Sequence, residues 1–260
     1  MIKLWGVPWD RHSSHERGPA EAPEATRRAL NSPAGNGFAE NGVFVLDPSV
    51  LRDVGDVHLT GTDEDPHDIE AGALRHLADG SKVIALGGDH AVTWPIFRAV
   101  AQRWPQCSIV HFDAHPDLYD DFEGDPFSHA SPFARIMESG LAGGLVQVGI
   151  RASTPHQAEQ QKRFGVKCFG PEAVEGAIAA LPSGPVYVSI DLDGLDPAYA
   201  PGVNHYEPGG LSVREVLRVV RAIPGEIVAA DVVELNPHRD RHDQTAQVAA
   251  KFVKELASRM

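Results

Sequence analysis

Ser108-Ile109-Val110-His111-Phe112-Asp113-Ala114-His115-Pro116-Asp117 begins as an apolar run and ends in a string of carboxylates around an imidazole. The same transition occurs twice more: Val83–Leu86 leads into Gly87-Gly88-Asp89-His90, and Val186–Ile190 into Asp191-Leu192-Asp193. Short apolar runs bounded by turn residues read as buried strands. In an open parallel sheet, ligands collect at the carboxyl ends of the strands, so the three strings are expected to meet on one rim. His90, Asp113, His115, Asp117, Asp191 and Asp193 then offer four carboxylates and two imidazoles. One small ion cannot use them all. Two ions sharing carboxylates can, and such a pair activates water for hydrolysis.

Outward from these strings, strand and helix patterns alternate. Further strands are expected at Ile2–Val7, Leu145–Ile150, Val166–Phe169 and Ile227–Val233. Helical patterns fall at Pro23–Leu30, His67–Asp79, Thr93–Arg103, Ser131–Ser139, Pro155–Phe164, Pro171–Leu181, Val213–Ala222 and Asp243–Ser258. This alternation predicts an α/β fold with a mainly parallel sheet, in one domain over residues 1–260. Ser212 with Glu215 reads as a capping box, and Thr154-Pro155 as an N-cap with proline at the first helical position. Asn31–Asp65, rich in Gly, Asn, Asp and Pro, reads as an irregular excursion with at most one short strand. Tyr119–His129 and Asp196–Gly210 are long loops, and long loops inside a compact domain are usually functional.

A net charge of −13 argues against nucleic acid as a partner and is compatible with a small cationic substrate. Cys107 and Cys168 have neither metal nor disulfide spacing and are expected to be reduced core thiols in a cytoplasmic protein. No apolar run approaches membrane-spanning length, and Met1–Gly6 has no signal-peptide character, so a soluble chain is expected.

The three strings, with Ser189-Ile190-Asp191-Leu192-Asp193-Gly194-Leu195-Asp196-Pro197 as the last, resemble the signatures of the ureohydrolases, the family of arginases and agmatinases. The likeness extends to Gly6-Val7-Pro8, Ser128–Glu138, Glu207-Pro208-Gly209-Gly210, Val233-Glu234-Leu235-Asn236-Pro237 and the closing Ala249–Ala257, and is strongest toward plant-type arginases. It implies a three-layer α/β/α domain with two Mn²⁺ ions per subunit, and the hard-to-borderline donor set suits Mn²⁺ better than Zn²⁺. By position, His90 and Asp117 would bind one metal, His115 and Asp193 the other, and Asp113 and Asp191 would bridge both. His129 matches the histidine that protonates the leaving amine, and Glu234 the carboxylate that pairs with a guanidinium. Asp117 is counted with these two as catalytic. The implied reaction releases urea from a terminal guanidino group, with L-arginine the expected substrate and agmatine or another guanidino acid the alternatives. A zinc-dependent deacetylase and a non-catalytic scaffold are remoter readings. Relatives imply a homo-oligomer, a trimer or hexamer.

Asp89 and Asp231 are expected to orient ligands from behind, Asp196 to start a turn, and His111 to be a hydrogen-bonded core histidine. Asn204, His205 and His156 fall in loops expected near the pocket and are the candidates for substrate discrimination. His12 and His15 flank Ser13-Ser14 where relatives more often have Asn and Phe, and Asn204 stands where plant-type arginases have serine. These departures bear on substrate rather than on chemistry.

Overall fold

A computed structural model describes all 260 residues. Eight strands alternate with eight α-helices: β1 (Ile2–Gly6), α1 (Ala22–Leu30), β2 (Leu51–Asp56), α2 (Asp65–Leu77), β3 (Lys82–Leu86), α3 (Thr93–Arg103), β4 (Ser108–Phe112) and α4 (Pro132–Ser139) form the first half. The second half comprises β5 (Gly144–Val148), α5 (Pro155–Phe164), β6 (Lys167–Phe169), α6 (Val174–Ala179), β7 (Val186–Asp191), α7 (Val213–Ala222), β8 (Ile227–Val233) and α8 (Gln244–Ala257). All strands are parallel, in the order β2-β1-β3-β8-β7-β4-β5-β6. The last two strands in the chain therefore lie between β3 and β4, and the three ligand strings leave the sheet within a four-strand span.

Successive side chains on a strand point to opposite faces, and both faces here are covered. Val110 and Phe112, Val188 and Ile190, and Ala230 and Val232 join residues of α1, α7 and α8 in one apolar cluster. Ile109, Tyr187 and Ala229 join α2, α3 and α4 in the other. On that second face the alternation continues into polar side chains. Register places Asp231 opposite Ser189, Ser189 opposite His111 and His111 opposite Gln147, so a polar row crosses four adjacent strands. All four residues are fully buried. Two positions further on, the same face carries Asp113 and Asp191.

Local signals explain several helix ends. Ser212 and Thr154 both form complete capping boxes, with Glu215 and Gln157 respectively, each worth about 1 kcal/mol. The run expected as one helix over 171–181 is instead a short 3₁₀ turn, Pro171–Ala173, followed by the six-residue α6; Gly176, a poor helix former, sits in that short segment. Within the irregular excursion, Leu51–Asp56 adds an edge strand whose side chains are mostly exposed, which is why it lacks an apolar pattern. Cys107 is buried as expected, but Cys168 is exposed: β6 is the outermost strand on its side. No helix is long and apolar enough to cross a membrane.

Candidate metal centre

β3 ends in Gly87-Gly88, and the backbone passes close beneath the amino-terminal loop there. A Cβ on Gly88 would lie 1.9 Å from the Trp9 carbonyl oxygen, so only glycine permits the approach. His90 follows at the start of a buried 3₁₀ turn. Its Nδ1 lies 3.2 Å from Asp113 Oδ2, 2.9 Å from Asp117 Oδ2 and 3.1 Å from Asp191 Oδ2. Even so, this buried nitrogen makes no hydrogen bond.

The other side of the ring explains why. Asp231 accepts from Thr93 Oγ1 at 2.7 Å, from Tyr187 OH and from Ser189 Oγ at 2.6 Å. Because Ser189 gives its only hydroxyl proton to Asp231, it accepts from His90 Nε2, 2.9 Å away. The ring therefore carries hydrogen on Nε2, and its Nδ1 faces three carboxylates that, against the penalty of burial, favour either a proton there, raising the imidazole well above its usual range, or a metal ion in the proton's place. A lone pair among anionic oxygens is favourable only around a cation. The donor set thus fits a metal ion.

A second group lies alongside. His115 Nδ1 is 3.4 Å from Asp113 Oδ1 and 3.2 Å from Asp193 Oδ2. Asp113 therefore turns one oxygen toward each histidine. Asp191 offers Oδ2 to the His90 group while its Oδ1 accepts from the Asp193 backbone N–H at 2.8 Å. Asp117 adopts a left-handed backbone, φ 51°, at the end of the string, which lets the ligands leave the strand line after Pro116. Burial and the neighbouring Asp113 charge raise Asp117 to about 7 and Asp193 to about 6, and burial with Asp193 and Asp113 raises Asp191 well above the usual range. Carboxylates crowded this closely need cationic charge to stay ionised together. Burial drives His111 down to about 4, against the pull of Asp113, so its ring is neutral.

The cavity beside this cluster is about 270 Å³ and is lined by Asp117, Asp191, Asp193, Glu207 and Glu234, with no lysine or arginine. Glu234, also left-handed at φ 65°, accepts through Oε1 from the His90 backbone N–H at 2.9 Å and pairs with His129 Nδ1 at 2.8 Å. Its Oε2 is buried without a partner. Burial would lower the pKa of His129, but the Glu234 carboxylate outweighs it and raises the imidazole to about 9. Ser14 Oγ lies 2.8 Å from His129 Nε2.

Of the three loop candidates, only His205 lines the cavity, with its ring 5.3 Å from that of His129. Asn204 has no free group for a ligand: its Nδ2 donates to the Glu16 carbonyl and its Oδ1 accepts from Asn236. His156 stands outside the lining, stacked on Tyr119 and 44% exposed. Asp89 does not orient an imidazole; its carboxylate accepts from the His12 and Ala91 backbone N–H groups and from Ser13, fastening the loop that carries Ser14. Asp196 pins the ends of its own loop through Ala198 and Gly209. Arg151, which the motifs did not single out, donates to the carbonyls of Asp193, Gly194, Leu195 and Glu207 and ties that loop to the turn that follows β7. Ser189 and Gln147 were also missed, although each is a lone polar residue at an alternating position of an apolar strand.

The sequence model of the Arginase family matches residues 1–258. Arginase 1, mitochondrial, of Oryza sativa subsp. indica is 44% identical over 274 aligned residues, covering 99% of this chain and 81% of the rice protein. Agmatinase of Bacillus cereus is 34% identical over 266, covering 98% and 90%. Among solved structures, the arginase from Medicago truncatula superimposes with a TM-score of 0.93 at 43% identity, over 99% of this chain and 86% of its own.

Proposed function

The chain belongs to the arginase family, and from that premise we propose that it hydrolyses L-arginine to L-ornithine and urea with two Mn²⁺ ions per subunit. One observation carries the hydrolytic reading: Asp113 presents its two oxygens to two separate histidine-centred ligand groups. His90, Asp117, Asp113 and Asp191 would hold one ion; His115, Asp193, Asp113 and Asp191 the other. Ions bound there would lower the pKa of water and polarise the scissile carbon.

The chain's own groups supply the rest. Glu234 Oε2 is a desolvated, unpartnered acceptor on the cavity wall, suited to the planar donor fork of a guanidinium. Held by Glu234, His129 keeps a proton below about pH 9 and can pass it to the departing amine. Glu207 and Glu234, the lining carboxylates not assigned to the ions, favour a cationic substrate.

L-arginine is favoured because similarity to the plant arginase, at 44%, exceeds that to the agmatinase, at 34%. Agmatine is the second reading, supported by a wall that offers no lysine or arginine to an α-carboxylate. A deacetylase or scaffold would have no use for the complete double ligand set. A homo-oligomer belongs to the same proposal, as does a reducing, cytoplasmic compartment, which the two unpaired thiols support. Mn²⁺-loaded protein incubated with L-arginine, agmatine and other guanidino acids tests it. Urea should appear fastest from L-arginine; faster release from agmatine would transfer the assignment, and acetate from an acetylated amine would overturn the class.

A further inference from the structure

By proximity alone His111 belongs with His90, Asp113 and Asp117 as a potential metal ligand. We propose instead that His111 is a positioning residue, and that Gln147 locks it in the tautomer that donates to Asp113. The proposal rests on the metal reading of the site.

The assignment follows from donors and acceptors. Gln147 Nε2 lies 2.6 Å from the Pro116 carbonyl oxygen, which can only accept, so that atom is the amide nitrogen. Its oxygen accepts from Gln161 Nε2 at 3.4 Å. The second hydrogen of the same nitrogen points to His111 Nδ1, 3.1 Å away. Nδ1 is therefore the acceptor, and the ring hydrogen sits on Nε2, which donates to Asp113 Oδ2 at 2.8 Å. A ligand would need a ring lone pair toward the cluster. The only one available is spent on Gln147, on the far side.

The ring has no freedom to reverse these roles. It is fully buried and stacked on Phe133 of α4 with centroids 3.9 Å apart. The consequence falls on Asp113, the one carboxylate facing both histidine groups. Its Oδ1 is held by the His115 backbone N–H at 2.6 Å and its Oδ2 by His111. A neutral donor aims the carboxylate without cancelling the charge that the ions need. Losing it should loosen both ion sites at once, and partners behind metal ligands typically contribute 10–100-fold in affinity.

The test reads metal binding by the full-length protein: Mn²⁺ per chain and dissociation constants from equilibrium dialysis, with the melting temperature of the metal-free form. His111→Phe keeps the stack but removes the donor, and should weaken both ions by about 10–100-fold. His111→Gln places an amide N–H near the Nε2 position and should recover most of that loss with two ions bound. Gln147→Leu leaves the ring but releases its tautomer, and should fall between them. Unchanged affinity in His111→Phe overturns the proposal, as does loss of one ion per chain in His111→Gln, the mark of a true ligand. Should His111→Phe fail to fold, the other two decide: at equal metal-free melting temperatures Gln147→Leu must bind Mn²⁺ more weakly than His111→Gln, and the reverse order overturns it. Urea release by the unsubstituted protein is independent of all these outcomes, so failure here is distinct from failure of the functional reading.

Discussion

The polar row inside the sheet and the mouth of the cavity handle polar groups in opposite ways. Asp231, Ser189, His111 and Gln147 are fully buried, sit in one register line and each have assigned partners. At the mouth, Tyr119, Phe122, His205 and Glu207 belong to loops, and His205 meets its neighbours only through ring contacts with His15, His115 and His129. Strand pairing fixes a side chain to a fraction of an ångström at no extra cost to the residue itself. A loop must be fastened separately, as Arg151, Asp89 and Asp196 do here. The difference separates the two regions: register holds the groups behind the candidate metal centre, and tethered loops present the groups that would select substrate on the proposed reading.

Asp113→Ala is the severest challenge to the row. It deletes the carboxylate shared by both histidine groups, so both ions should be lost on dialysis and urea release should cease. A variant that retains two Mn²⁺ per chain would show that Asp113, the carboxylate in front of the row, is not shared by the ions. His129→Ala strikes the boundary between the two regions. Metal content should be unchanged while kcat falls by about 10²–10⁴-fold, the range for general acid–base catalysis. Normal turnover would remove His129 from the reaction.

Glu234→Gln keeps shape and discards charge. Breaking one half of a buried charge-assisted pair costs roughly 2–5 kcal/mol, so kcat/KM should drop by about 30-fold to several thousand-fold. The loss should be alike for L-arginine and agmatine, which share a head group; a large difference between them would place Glu234 with the selective mouth instead. The smallest effects lie at the mouth itself. His205→Ala should shift the arginine-to-agmatine ratio by up to about tenfold, near 1.4 kcal/mol, with metal content intact. Asn204→Ala should leave that ratio alone and lower stability by about 1–3 kcal/mol, since Glu16 and Asn236 lose a buried partner. If Asn204 rather than His205 moves the ratio, the division drawn here between fastening and selecting is misplaced.

Much of the centre was legible beforehand because its signals are local. An apolar run that stops at a carboxylate string marks a strand end, and three such strings named the six side chains that the fold gathers at one rim. Capping boxes at Thr154 and Ser212 were readable for the same reason, being contacts within four residues. The loop histidines were less legible. His156, His205 and Asn204 all fall in segments near the site, yet whether a loop side chain faces inward depends on distant tethers such as Arg151, which no spacing announces.

What the sequence determined by itself is which residues share a strand, which face of it they occupy and where it ends, because side-chain alternation is a property of one chain segment. The neighbour across each strand was decided only by tertiary structure. β7 and β8 return from the far end of the chain to pair between β3 and β4, and that insertion brings Asp191 and Ser189 against His90 and sets Asp231 and Ser189 in line with His111. Backbone hydrogen bonds between strands are the same whatever the side chains. Strand order and register are therefore selected by burying two whole faces at once, and the row of polar partners behind the ligands exists only after that selection is made.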